Sequence, residues 1–246
     1  MQRLFLRHEL SAGAIVELDR AQTNYLTNVL RMKAGGGINV FNGEHGEWSA
    51  VLVQRGRRDW ALAIKRIERN QTERPDLQYL FAPLKHARLD YMVQKAVELG
   101  VGRLTPVLTQ YSQINRVNAR RMEGNAIEAA EQCGLLTIPI VDEPVALSEL
   151  LDSWSKLLPG RRIVFCDETK RERDTARVLG AMSGNRFAVL IGPEGGFSGE
   201  ERERLTSCDF VTSVGLGPRI MRADTAAVAA IALVQAIRGD WLADGP

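Results

Sequence analysis

The sequence predicts an α/β protein in two parts: a small N-terminal β-barrel over residues 1–72, and a layered α/β domain with a mostly parallel six-stranded sheet over residues 73–246. Three observations carry that prediction. The first 70 residues hold short β-rich runs; the polar segment RNQTERPD at 69–76 contains Pro75 and no apolar periodicity; beyond it, short apolar runs alternate with helical patterns. Strands alternating with helices imply parallel pairing, because the crossover helix returns the chain to the same end of the sheet.

In the first part the strand candidates are Leu4–Leu6, Ala14–Leu18, Ile38–Phe41, Trp48–Gln54 and Trp60–Ile67. The last alternates, with apolar residues on both faces at its start. One helix is expected from about Ala21 to Met32, with Tyr25, Leu26, Val29 and Leu30 at helical spacing, ending before the glycines at 35–37; Asn42-Gly43 marks a tight turn. In the second part the strands are Tyr79–Ala82, Leu104–Leu108, Ile138–Val141, Ile163–Cys166, Phe187–Ile191 and Val211–Val214. The stripe Leu89, Met92, Val93, Ala96, Val97 and Leu99 predicts a helix that stops at Gly100. Ala119–Cys133 predicts another, with Met122, Ala126, Ala129, Ala130 and Cys133 on one side and Gly134 at its end, and Ser148 is the expected cap of a helix through Trp154.

The stretch from Phe187 to Ala236 repeats strand, glycine- and proline-bearing loop, helix twice over. Both loops leave the carboxyl ends of buried strands, where open α/β sheets place their ligands. In GPEGGFSGEE, Ser198 followed by Glu201 is a capping-box pattern, and Gly192, Gly195 and Gly196 allow close approach of backbone to a ligand. In LGPRIMRADTA, Arg219 and Arg222 stand beside an expected N-cap, Asp224, of an alanine-rich helix beginning at Thr225. Taken alone, the first loop is better explained as a tight ligand-free connection, and the alanine-rich helix is compatible with a buried core role; two such loops on one sheet shift the weight to a binding site.

Bulk properties narrow the class. Hydrophobic residues at 45% and charged residues at 25% are ordinary for a globular chain, and no apolar run reaches the ~20 residues of a membrane span. The N-terminus lacks the apolar core and cleavage site of a signal peptide, so a cytoplasmic protein is expected. Cys133, Cys166 and Cys208 are isolated, so neither a disulfide framework nor a metal site is suggested. The net charge of +2 divides into +4 for residues 1–72 and −2 for the rest. Arg55, Arg57, Arg58, Lys65, Arg66 and Arg69 around Trp60 would suit phosphate contacts, or form a solvated face.

Familiar catalytic signatures are missing: there is no GxGxxG after the first strand, no GxxxxGK[ST] and no serine nucleophile elbow, and His8, His45 and His86 form no triad or metal spacing. Five stretches instead carry a resemblance: VLRMKAGGGINVFNG at 29–43, QKAVELGVGRLTPVLT at 94–109, NAIEAAEQCG at 125–134, IGPEGGFSGEE at 191–201 and LGPRIMRADTA at 216–226. In their order and spacing the chain resembles, over nearly its whole length, the RsmE family of bacterial ribosomal RNA methyltransferases, members of the SPOUT superfamily that methylate N3 of a uracil in 16S ribosomal RNA.

That resemblance implies a C-terminal domain threaded into a deep trefoil knot, a PUA-like RNA-binding barrel at the N-terminus, and a homodimer. It implies S-adenosylmethionine as cofactor, held by Leu190, Gly192, Glu194, Gly195 and Gly196 of the first loop and by Leu216, Gly217, Ile220, Met221, Arg222, Ala223 and Thr225 of the second. The partner is 16S ribosomal RNA, within the 30S subunit, with RNA contacts expected from Arg3, Arg7, Arg31, Lys33, Lys85 and Arg88. Arg222 is the expected stabiliser of the uracil anion, and Glu194 a candidate proton acceptor. Departures from the family pattern fall at Tyr111 and Leu135, where arginine is common, near Asn24, where histidine is, and at Asp224, where glutamate is. Two alternatives stay open at this level: a SPOUT methyltransferase acting on another RNA position, and a noncatalytic RNA-binding assembly factor that has kept the fold.

Overall fold

A computed structural model describes residues 2–56, 59–114, 116–170 and 174–242, apart from the side chain of His86. The chain forms two compact units, one of residues 1–73 with 130–138, the other of 74–129 with 139–246.

The first unit holds β1 (Arg3–Phe5), β2 (Ile15–Glu17), α1 (Arg20–Asn24), β3 (Gly37–Phe41), β4 (Glu47–Gln54) and β5 (Trp60–Arg69). They form one sheet in the order β1-β3-β4-β5-β2. The expected barrel is realised as a curled half-barrel, since β1 and β2 are edges and do not pair with each other. Its concave side holds Leu4, Leu6, Ile38, Val40, Leu52, Leu62 and Ile64, closed by Leu26. Burying each such side chain contributes about 1.5–3 kcal/mol.

The expected helix over 21–32 is shorter and differently wound. After α1, capped by an Asp19–Gln22 capping box, Tyr25–Val29 forms a π-helical turn, and Arg31 adopts φ 54°. The π turn aims Leu26 into the sheet's core while Val29, which the periodicity placed inside, is 62% exposed.

The second unit begins with β6 (Leu77–Phe81), α2 (His86–Glu98), β7 (Val101–Leu108), α3 (Ala119–Cys133, whose last residues, from 130 on, belong to the first unit), β8 (Ile140–Val141), β9 (Val145–Ala146) and α4 (Leu147–Leu157). It continues with β10 (Arg161–Cys166), α5 (Thr175–Ala181), β11 (Arg186–Ile191), α6 (Gly199–Ser207), β12 (Val211–Val214) and α7 (Ala223–Arg238). The six anticipated strands are joined by the two-residue β9, and every pairing is parallel, in the order β12-β10-β11-β6-β7-β8 with β9 also on β7. Strands buried on both faces read as continuous apolar runs, which is why composition located them.

On one face Leu80, Ile163, Phe165, Ala188 and Leu190 pack with Leu150, Leu151 and Trp154 of α4 and Leu205 of α6. On the other, the Tyr79 hydroxyl donates to the Met92 sulfur of α2 at 3.0 Å. The predicted stripes of α2 and α3 are buried, except that Leu99, at the C-cap of α2, is partly exposed and Cys133 is exposed. Two caps differ from expectation. Helix α4 starts one residue before Ser148, at an Ala146 cap with no side-chain bond, because Leu147 is itself a buried core residue. Helix α7 starts at Ala223 behind Arg222, which places Asp224 in its first turn, accepting from the Thr225 amide at 2.9 Å.

Candidate functional site

Strands β12, β10 and β11 are neighbours in the sheet, so the loops after all three emerge side by side at its carboxyl edge. They enclose a cavity of about 430 Å³. Residues Gly192, Pro193, Glu194 and Gly196 form one wall, the run from Leu216 to Ala223 with Ala226 a second, and Cys166, Asp167, Glu168 and Lys170, from the end of β10, the third.

The first loop is fastened on every side. The Ser198 hydroxyl accepts from the Glu201 amide at 3.2 Å and the Glu201 carboxylate accepts from the Ser198 amide at 2.9 Å, completing the predicted capping box. The other oxygen of Glu201 accepts from the Gln110 amide at 2.7 Å. Phe197 is buried edge-on against Phe165, ring centroids 5.0 Å apart. It also explains Gly192, where a Cβ would sit 2.5 Å from the Phe197 ring. Gly196 has φ +70°, and a Cβ there would meet the Glu168 carboxylate at 2.5 Å. Glu194 projects toward α2, where the Arg88 guanidinium donates to it at 3.2 Å.

The second loop is open by contrast. Ile220 is 90% exposed, and Arg219 and Arg222 are exposed on the cavity rim. Among the described residues no ion pair or side-chain hydrogen bond engages the Arg222 guanidinium. It therefore presents an uncompensated positive charge at the amino end of α7, whose unsatisfied amides add to the local positive potential.

Of the positions expected to hold a cofactor, Gly192, Glu194, Gly196, Leu216, Gly217, Ile220, Met221, Arg222 and Ala223 line this cavity. Three are set back. Leu190 is wholly buried in the sheet core, Gly195 faces the Tyr111 ring, and Thr225 is exposed on α7. The third wall went unnoticed in the sequence, because FCDETK carries no glycine signature; only the position of β10 between β11 and β12 reveals it. Asp167 is 3% exposed and anchors that wall. Burial pushes its carboxyl upward, but hydrogen bonds from Thr169 and Arg202 outweigh this and hold it below the ordinary carboxylate range. Arg202 bridges it to Glu168, donating to Glu168 at 2.7 Å. Burial pushes the neighbouring Cys166 thiol up to about 12, so it is a packing group rather than a nucleophile.

The basic residues expected to meet RNA fare unequally. Arg3 turns inward: its guanidinium donates to Glu47 at 2.7 Å and to the backbone oxygens of Ala130, Glu131 and Leu135, and stacks over Phe41. Its side chain is 9% exposed, so its charge is spent within the fold. Arg69 joins the same buried Glu47, and Arg55 and Arg66 pair with Glu17 and Glu68. Arg7, Arg31, Lys33 and Lys85 are exposed, as is Lys65, while Arg57 and Arg58 lie outside the described residues.

The fold and the cavity agree with two family models, one described as an RNA methyltransferase domain matching residues 72–235, the other as an RNA methyltransferase PUA domain matching residues 18–59. The class is therefore a PUA-linked RNA methyltransferase. A ribosomal RNA small subunit methyltransferase E from Rickettsia conorii is 30% identical over 95% of this chain and 94% of its own. The chain belongs to that ribosomal RNA small subunit methyltransferase E family. A solved member from Neisseria gonorrhoeae, bound to S-adenosyl methionine, is 28% identical and superposes with a TM-score of 0.84 over 98% of this chain and 99% of that one. A structure from Legionella pneumophila with bound cofactor SAM is 27% identical, with a TM-score of 0.82 over 97% and 98%. No described helix is long and apolar enough to cross a membrane.

Proposed function

We propose that the chain transfers the methyl group of S-adenosylmethionine to N3 of one uridine in the 16S RNA of the small ribosomal subunit. The observation that carries this reading is the convergence of three strand ends on one cavity whose rim holds an unpaired arginine, in a chain of this family.

The residues present suit that cofactor. Gly192 and Gly196 present bare backbone to the cavity, because the positions a Cβ would take are occupied by the Phe197 ring and the Glu168 carboxylate. Ile191, Leu216, Met221 and Ala223 offer an apolar lining for the adenine and the methionine chain, and Glu168 and Glu194 offer carboxylates toward its cationic centre. Bound S-adenosylmethionine supplies an electrophilic methyl group.

The chain's own residues have three tasks. N3 lies on the Watson–Crick edge of uracil, so the base must be unpaired before it reaches the cavity. Loss of its proton leaves negative charge on the flanking carbonyl oxygens, where Arg222 donates charge-assisted hydrogen bonds. Glu194 is the proton acceptor in this reading, within a wall that the capping box holds in place. The deep trefoil knot, the homodimer and the cytoplasmic site of action belong to the same proposal, and sedimentation of the purified protein tests the dimer.

Primer extension along small-subunit RNA from a deletion strain tests the activity. The expected result is loss of one strong stop at a uridine, restored by the intact gene and not by an Arg222→Ala copy. An RNA whose stops are identical with and without the gene would refute it.

A further inference from the structure

Tyr111 stands just beyond β7 and is 48% exposed, although it is a large aromatic side chain. A Cβ built on Gly195 would lie 3.2 Å from its Cβ and within 4 Å of its ring, so the tyrosine rests on the outer side of the first loop where Gly195 has no side chain. The residues on either side of Gly195, Glu194 and Gly196, line the cavity. Glu194 in turn holds Arg88 at 3.2 Å, and the Arg88 side chain is itself 41% exposed. A half-exposed aromatic ring and a half-exposed cation thus pack against adjacent residues of the loop that walls the cavity.

That pairing is what an unpaired nucleotide needs. Aromatic rings provide a stacking surface for a base that has left its helix, and a neighbouring arginine meets phosphate or a carbonyl edge. An exposed ion pair such as Arg88–Glu194 is worth little net stability, so Arg88 can exchange partners cheaply when an anion arrives. Of the other two exposed aromatics among the described residues, Tyr91 lies under Lys95 on α2 and Trp241 follows α7.

We propose that Tyr111 is a substrate-binding residue, the platform on which the unpaired pyrimidine, or its immediate neighbour in the strand, stacks at the cavity mouth, with Arg88 as the adjoining anion contact. The proposal rests on the methyltransferase reading above. It does not assign Tyr111 any part in holding the cofactor.

The test compares wild type, Tyr111→Phe, Tyr111→Leu and Tyr111→Ala in two measurements: S-adenosylmethionine affinity by calorimetry, and kcat/KM for small-subunit particles carrying unmethylated RNA. Phe is expected to stay within about threefold of wild type, whereas Leu and Ala lose about 5- to 150-fold in kcat/KM for RNA, the range that truncating a base-stacking aromatic produces. Cofactor affinity is expected to be unchanged in all three. Leu retains most of the bulk over Gly195, so it separates loss of the aromatic face from collapse of the loop. Equal kcat/KM in all variants would overturn the proposal, as would a loss that follows cofactor affinity, which would make Tyr111 a strut for the loop. A wild type that binds no cofactor and methylates nothing would instead sink the functional reading itself, and the proposal with it.

Discussion

The two glycine loops that wall the cavity look alike in sequence and differ in how they are held. GPEGG is tied by a reciprocal capping box and by a buried phenylalanine that fills the space beside Gly192. The loop from Leu216 to Arg222 ends in a helix with no side-chain cap, and it leaves Ile220 almost wholly exposed. The difference suggests a division of labour: a rigid wall that sets the shape of the cavity, and a looser one that brings charge to the reaction. Preorganisation belongs where position matters, and an arginine with no ion-pair partner among the described residues remains available to a substrate anion.

The strongest way to break this contrast is Arg222→Ala. Removing a preorganised donor from a developing oxyanion lowers kcat by about 10²–10³. Because Arg222 is exposed and unpaired among the described residues, melting temperature should stay unchanged and cofactor affinity should move far less than turnover. Single-turnover methylation beside calorimetry reads both; parallel losses would remove Arg222 from the reaction.

Gly192→Ala comes next and acts on the rigid wall. Its new methyl would be 2.5 Å from a ring that Phe165 holds from the other side. Overpacking of this kind costs about 1–3 kcal/mol of folding stability, so the melting temperature should fall, and cofactor affinity should fall with it as the displaced loop reshapes the cavity. A variant with unaltered affinity would mean that the wall is less rigid than its contacts imply.

Ser198→Ala removes one half of the capping box, for about 1 kcal/mol. Chemical denaturation should register that loss, and a double change with Glu201→Ala should cost less than the sum of the two, since each residue serves the other. Smallest of all should be Ile220→Ser, which alters folding stability by no more than about 0.5 kcal/mol, as exposed positions do. A large destabilisation there would show that the second wall is anchored through a contact other than those described.

How much of this could be read from the sequence differs by element. The six principal strands of the second unit, the stripe of α2 and the Ser198 box were legible because each is a local pattern, either an apolar run or a fixed spacing. Helix ends were less so. Ser148 and Asp224 are good capping residues, yet burial of Leu147 and Ala223 moved both helix starts past them. The π turn at 25–29 also escaped, since its period differs from the one that Tyr25, Leu26, Val29 and Leu30 suggest.

Charge was the least legible property. The excess of +4 in the first 72 residues resembles a footprint for RNA, but Arg3 and Arg69 neutralise a glutamate that is 3% exposed. Taking a carboxylate out of water is costly unless cations come with it, so part of the apparent excess serves the interior.

By itself the sequence determined the parallel sheet and the two loops with the glycines that let backbone approach a ligand. The tertiary structure alone decided that β10 lies between β11 and β12, and hence that Asp167 and Glu168 form a third wall of the cavity. It also decided that Tyr111 rests on Gly195, 84 residues further along the chain. The physical reason is the same in each case: periodicity and capping depend on neighbours within a turn or two, whereas strand order is set by how crossover connections pack, and no local pattern encodes it.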